Sequence, residues 1–141
     1  MIYKWHRWLD MPKKDRQWHE VDINDELIEY RTAKGLLMKW SEMGDVVYTY
    51  TRGIWGGYDL KFPLSKIHFV VGCIYMFPKM TIRYMFFRKA GIKAGTLRPL
   101  HEVRNPKKIH KLHHIADKYD LDRGKFQKIC EEQLKYWILL P

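Results

Sequence analysis

The most apolar window of the chain, residues 67–77, runs for 11 positions and is followed by Pro78, Lys79 and Arg83. A membrane-spanning helix needs about 20 apolar residues, so this window is too short, and too charged beyond its end, to cross a bilayer. The expectation is a soluble protein, with attraction to an anionic membrane surface left open. A chain of 141 residues has the length of one core plus a small appendage, and a multidomain enzyme is not expected. With 46% hydrophobic and 15% aromatic residues it is not compositionally disordered.

Charge is distributed unevenly. Residues 1–78 hold 11 Lys/Arg against 10 Asp/Glu, whereas residues 79–111 hold ten basic residues against the single acid Glu102, a net of +9 out of the chain's +10. The ten are Lys79, Arg83, Arg88, Lys89, Lys93, Arg98, Arg104, Lys107, Lys108 and Lys111. Clustered like charges repel unless a partner or counter-ions neutralise them. Two readings follow: a solvated or internally neutralised face, or a phosphate-binding surface in which Arg makes bidentate contacts and Lys supplies point charge.

Along the chain, residues 3–8 and 16–21 alternate aromatic and charged types around Pro12, Lys13, Lys14 and Asp15, and read as two short strands. Asn24, Asp25 and Glu26 mark a helix start, and Leu27, Tyr30, Ala33, Leu37 and Trp40 recur at helical spacing, predicting a helix over 25–43. Residues 46–51, Val-Val-Tyr-Thr-Tyr-Thr, have strand composition, and residues 58–62 could return as a hairpin partner after Gly53, Gly56 and Gly57. Residues 67–77 and 81–88 read as further strands, the second exposing Arg83, with helix a live alternative for both because short apolar runs do not fix the period. Residues 90–104 read as a basic linker. Asn105-Pro106 then opens a helix carrying Ile109, Leu112, Ala116 and Tyr119, and a last helix carries Phe126, Ile129, Leu134 and Trp137. The expected fold is α+β: an antiparallel sheet with one early helix on it, residues 1–104, and a C-terminal helical pair, residues 105–141.

In that pair Ala116 lets two helices approach, Leu121 plugs the turn, Asp122 caps the second helix, and Phe126 and Ile129 pack back on Ile115. Residues 115–129 thereby resemble a helix-turn-helix DNA-binding motif. Asp120 stands where such motifs have Gly, a position Asp tolerates better than most residues. The resemblance implies that Arg123, Gly124, Gln127 and Lys128 face a groove, where Arg and Gln reach base edges and Lys reaches phosphate.

Other chemistry is sparser. His110 and His114 form an i, i+4 pair with Asp117 one turn on, a spacing that suits a metal, but Lys107, Lys108 and Lys111 repel a cation, so the imidazoles read better as part of the basic surface. Trp5, Trp8, Trp18 and Trp55 sit beside charges or glycines and could stack on unpaired bases or anchor a protein partner, whereas Trp40 and Trp137 fit core stripes. No phosphate-binding glycine loop, zinc signature or nucleophile–base motif is present, so no cofactor is expected and the chain does not read as an enzyme. A nuclease could still gather Asp10, Asp15, Glu20, Asp22 or Asp59 around Mg²⁺. Two distant cysteines, Cys73 and Cys130, and a charged, aromatic N-terminus in place of a secretory signal point to a reduced, cytoplasmic setting. The leading expectation is non-catalytic binding of DNA or RNA. The alternative is an inhibitor or accessory module docking on an acidic protein or in a nucleic-acid channel.

Overall fold

The computed structural model describes residues 2–137, and over that span its regular elements are all helical: α1 (Ile2–Trp8), α2 (Arg16–Thr32), α3 (Leu36–Trp55), α4 (Lys66–Ala94), α5 (Ile109–Lys118) and α6 (Arg123–Leu134). No strand occurs among the described residues, so the expected α+β fold with its antiparallel sheet is corrected to an all-α one.

All the expected strands but residues 58–62 are helical, residues 3–8 lying in α1, and most have a physical reason for it. Residues 16–21 open α2 because Asp15 caps it, accepting a hydrogen bond from the Trp18 amide at 2.7 Å. His19, Ile23 and Leu27 then recur every four residues on its buried side. Residues 46–51 lie inside α3, where Met43, Val46, Val47, Tyr48, Thr49 and Thr51 are all buried, so no polar face reveals the period. The threonines are accommodated by bonding back to the helix: Thr49 Oγ1 donates to the Asp45 and Val46 carbonyls, both at 3.1 Å, and Thr51 Oγ1 to Tyr48 at 3.1 Å. Residues 58–62 form no strand. Residues 67–77 and 81–88 are one helix, α4, with Pro78 inside it, and Arg83 is buried rather than exposed.

The helix expected over 25–43 is two helices. Gly35, at φ +85°, adopts a backbone conformation that side-chain-bearing residues rarely take, and it separates α2 from α3. Leu37 and Trp40 consequently lie outside the α2 stripe and are 69% and 39% exposed, so Trp40 is not a core residue. Near the C-terminus, α5 starts after Lys108 and not at Asn105, whose side chain instead accepts from the Lys107 amide at 2.9 Å. Ile109, expected on the buried stripe, is exposed. The last helix, expected to run to Pro141, ends at Leu134, so Trp137 follows it; Pro141 itself lies outside the described residues.

Two compact units divide between Lys79 and Met80, within α4, and both sides of the 104/105 boundary fall in the second. The N-terminal unit buries Leu9, Ile23, Leu27, Met43, Val46, Val47, Leu60 and Met76. Here Gly72 of α4 faces Val47 and the Met43 carbonyl so closely that an added Cβ would lie 2.5 and 3.0 Å from them, fixing the approach of α3 and α4. The C-terminal unit builds a three-helix core from Phe86, Phe87 and Ala90 of α4, Leu100 of the following loop, Leu112, Ile115 and Ala116 of α5, and Phe126 and Cys130 of α6. Ile129, Leu134 and Trp137 pack against this core, as the stripe predicted.

Candidate nucleic-acid interface

The turn between α5 and α6 has defined hydrogen bonding. The Leu121 amide donates to the Ala116 carbonyl at 2.9 Å and the Asp120 amide to Asp117 at 3.3 Å, while Asp120 takes φ +54°, a helix end closed by a left-handed residue. Asp122 caps α6, accepting from the Lys125 amide at 2.7 Å. Ala116 is fully buried, and Ile115 and Phe126 share the core.

The expected groove-facing residues of α6 are exposed or half-buried, and two of them, Arg123 and Gln127, are engaged. Arg123 forms a bidentate pair with Asp117, Nε to Oδ1 at 2.6 Å and Nη2 to Oδ2 at 2.8 Å, and these bonds hold the Asp117 carboxyl below its ordinary range. Gln127 accepts from His113 Nε2 at 2.8 Å and donates to Glu131 at 2.7 Å. Gly124, Lys125 and Lys128 are exposed.

Two of the expected phosphate-binding residues are buried, which corrects their assignment to a surface. Lys79 is 2% exposed in the N-terminal unit and donates to the Ser41 carbonyl at 3.0 Å, Ser41 Oγ at 2.7 Å and Asp45 Oδ2 at 2.6 Å. Arg83 is 5% exposed and donates to the Val103 carbonyl at 3.4 Å. Arg104 is half-buried beside Glu102 at 3.7 Å.

The remaining cations of the stretch lie at the surface of the C-terminal unit, with Lys111 half-buried. Arg88, Lys89 and Lys93 occupy the outward side of α4, Arg88 also donating to the Tyr84 hydroxyl at 3.1 Å. Arg98 sits in the following loop, and Lys107, Lys108, His110, Lys111 and His114 surround the start of α5. Glu102, the one acid in residues 79–111, is buried and bonded to Lys118 at 2.7 Å, so it neutralises a cation from outside the stretch as well as Arg104. Helix α5 begins without a side-chain cap bond, and cations there face the positive end of its dipole, a like-sign arrangement that a bound phosphate would relieve.

Sequence reasoning missed Asp117 as the partner of Arg123. The i, i+6 separation across a turn gives no periodic signal, and the residue was noted only as a metal ligand beside His110 and His114. Among the described residues, three ligand atoms lie within 4.8 Å of one another only at Glu26, Glu29 and Glu42. Of the carboxylates considered for Mg²⁺, Asp15 caps α2 and Glu20 pairs with Arg16 at 2.7 Å. Trp5, Trp8, Trp18 and Trp55 belong to the N-terminal unit, where Trp8 is 46% exposed and Arg52 covers the Trp18 ring at 4.6 Å.

No described helix is long and apolar enough to cross a membrane. Comparison with known proteins returns no matching family, no matching curated protein and no matching solved structure.

Proposed function

We propose that the C-terminal unit is a non-catalytic nucleic-acid-binding domain. Its exposed Arg88, Lys89, Lys93, Arg98, Lys107 and Lys108, with the half-buried Lys111 and the imidazoles of His110 and His114, take phosphates, and α6 offers Arg123, Gln127 and Lys128 to bases or backbone. The observation that carries this reading is the burial of Glu102, the one acid of residues 79–111, in contacts with Lys118 and Arg104 while most cations of the stretch stay at the surface. The two free cysteines fit a reducing, cytoplasmic setting.

Gel shifts of the full chain on duplex and single-stranded DNA and RNA test it. Neutralising about six phosphates of duplex DNA predicts a slope of about −5 in log affinity against log salt, and Arg88→Ala/Lys89→Ala/Lys93→Ala should flatten it by two to three. Absence of binding, or a response flat in salt, would sink the proposal. Retention only by an acidic protein would select the alternative docking role, and cleavage that requires Mg²⁺ and is abolished by EDTA would select a nuclease.

A second expectation concerns α6. Because exposed ion pairs contribute little to stability, Arg123 is readily surrendered to nucleic acid. Asp117→Asn, which frees the guanidinium and removes a negative charge, should tighten DNA binding about two- to fivefold. Arg123→Ala/Gln127→Ala should erode discrimination between sequences more than Lys107→Ala/Lys108→Ala does. Equal losses on every sequence would remove α6 from base reading.

A further inference from the structure

The N-terminal unit carries an exposed apolar face with no role in this reading. Along the first half of α4, Ile67, Val70 and Ile74 follow at i, i+3 and i+7 and are 76%, 56% and 70% exposed. Phe77 continues the same side, so the face spans about 15 Å at the helical rise of about 1.5 Å per residue. Isolated exposed aliphatics are ordinary on protein surfaces, whereas a contiguous row marks a contact.

Two open grooves adjoin this row, one with Val70 and the other with Phe77 in its lining. One, of about 520 Å³, is lined by Tyr50, Phe62, Leu64 and Phe69 together with Lys61 and Lys66. Its rings stack edge to face, Tyr50–Phe62 and Phe62–Phe69 each at 5.1 Å between centroids. The other, of about 440 Å³, is lined by Trp5, Trp8 and Phe77 together with Lys4. Both therefore combine aromatic walls with ammonium groups. No Asp or Glu occurs between residues 60 and 101, and none lines either groove.

An extended row with one groove adjoining it at Val70 and another at Phe77 fits a continuous apolar layer better than a single small ligand, and the lysines favour a layer that bears anions. We propose that this face of the N-terminal unit docks peripherally on an anionic lipid bilayer. The aliphatic and aromatic side chains enter the boundary between headgroups and acyl chains, and Lys4, Lys61 and Lys66 meet lipid phosphates. The bilayer is touched and not crossed.

The test is flotation of the full chain with phosphatidylcholine vesicles, with and without phosphatidylserine. Binding is expected only with the anionic lipid, with a component that survives salt high enough to screen surface charge. Ile67→Ser/Val70→Ser/Ile74→Ser, at positions already facing water, should weaken it about tenfold or more. Lys61→Ala/Lys66→Ala should weaken it by about fivefold per lysine, which keeps a second variant available if the first fails to fold. Arg88→Ala/Lys89→Ala/Lys93→Ala in the other unit should leave the salt-resistant part unchanged and serves to separate this proposal from nucleic-acid binding. Loss of all vesicle binding in that variant, with the serine variant unaffected, would overturn the proposal as mere adsorption by net charge. Equal binding to neutral vesicles, no binding at all, or self-association abolished by the serine variant would overturn it as well.

Discussion

Glu26→Gln is expected to stabilise the N-terminal unit at pH 8 by about 2–3 kcal/mol and to change little at pH 4.5. Burial first, and then the carboxylates of Asp45, Glu29, Asp22 and Glu42, push the Glu26 carboxyl from 4.5 up to about 8. Its folded value lies above its unfolded one, so folding takes up a proton at neutral pH. The associated stability is complete below 4.5 and is lost as pH rises through 8. The full linkage is worth about 4–5 kcal/mol, and water reaching part of this half-buried group reduces it.

The opposite limb belongs to His6. Burial, then Arg52 and His19, hold its imidazole down from 6.5 to about 4. A depressed folded value means stability present above 6.5 and lost as pH falls toward 4, about 3 kcal/mol in all. His6 Nε2 lies 3.0 Å from Thr51 Oγ1, and its Nδ1 is buried without a protein partner, so no carboxylate waits to receive the added charge. Urea denaturation across pH should give a broad maximum in mildly acidic solution. In Glu26→Gln the alkaline fall should disappear and the acid fall remain; a variant curve parallel to the parent would refute the assignment.

Lys79→Met should destabilise the same unit by about 3–5 kcal/mol. The side chain is 1% exposed and its ammonium makes three short bonds, to Ser41 twice and to Asp45, which is itself 16% exposed. Methionine fills the space but leaves a carboxylate and a carbonyl oxygen without that donor, and the loss comes chiefly from those stranded acceptors. Adding Asp45→Asn should recover part of the loss, and should also lower the Glu26 carboxyl, since Asp45 is the strongest of the charges that raise it. Thermal melts of the single and double variants measure the coupling. Nucleic-acid affinity should be indifferent to Lys79→Met, and a marked loss of binding in a folded variant would return this residue to the interface.

The C-terminal helices were legible because their sequence keeps a polar side. Leu112, Ile115 and Ala116 on α5, and Phe126 and Cys130 on α6, follow at helical spacing, with Asp122 in place as a cap. Most of the expected sheet falls in α3 and α4, where β-branched or aromatic types imitate strand composition and the unbroken buried run over residues 46–49 hides the helical period. Thr49 and Thr51 belong to a helix because their hydroxyls find carbonyls one turn back, a solution visible only once the chain is folded. The site was legible in its charge and not in its pairing. Ten cations in one stretch can be counted, but Lys79 differs from Lys89 only because Asp45 and Ser41 come from another helix. The exposed row on α4 was hidden for a related reason, since composition records how apolar a segment is and not which side stays wet.

The last turn of one core and the first turn of the next share α4, for Lys79 and Met80 are consecutive in it and no loop intervenes. A break there would create two raw helix ends whose amides and carbonyls lack capping groups. A truncation meant to isolate either core therefore has to supply caps for the helix end that it creates.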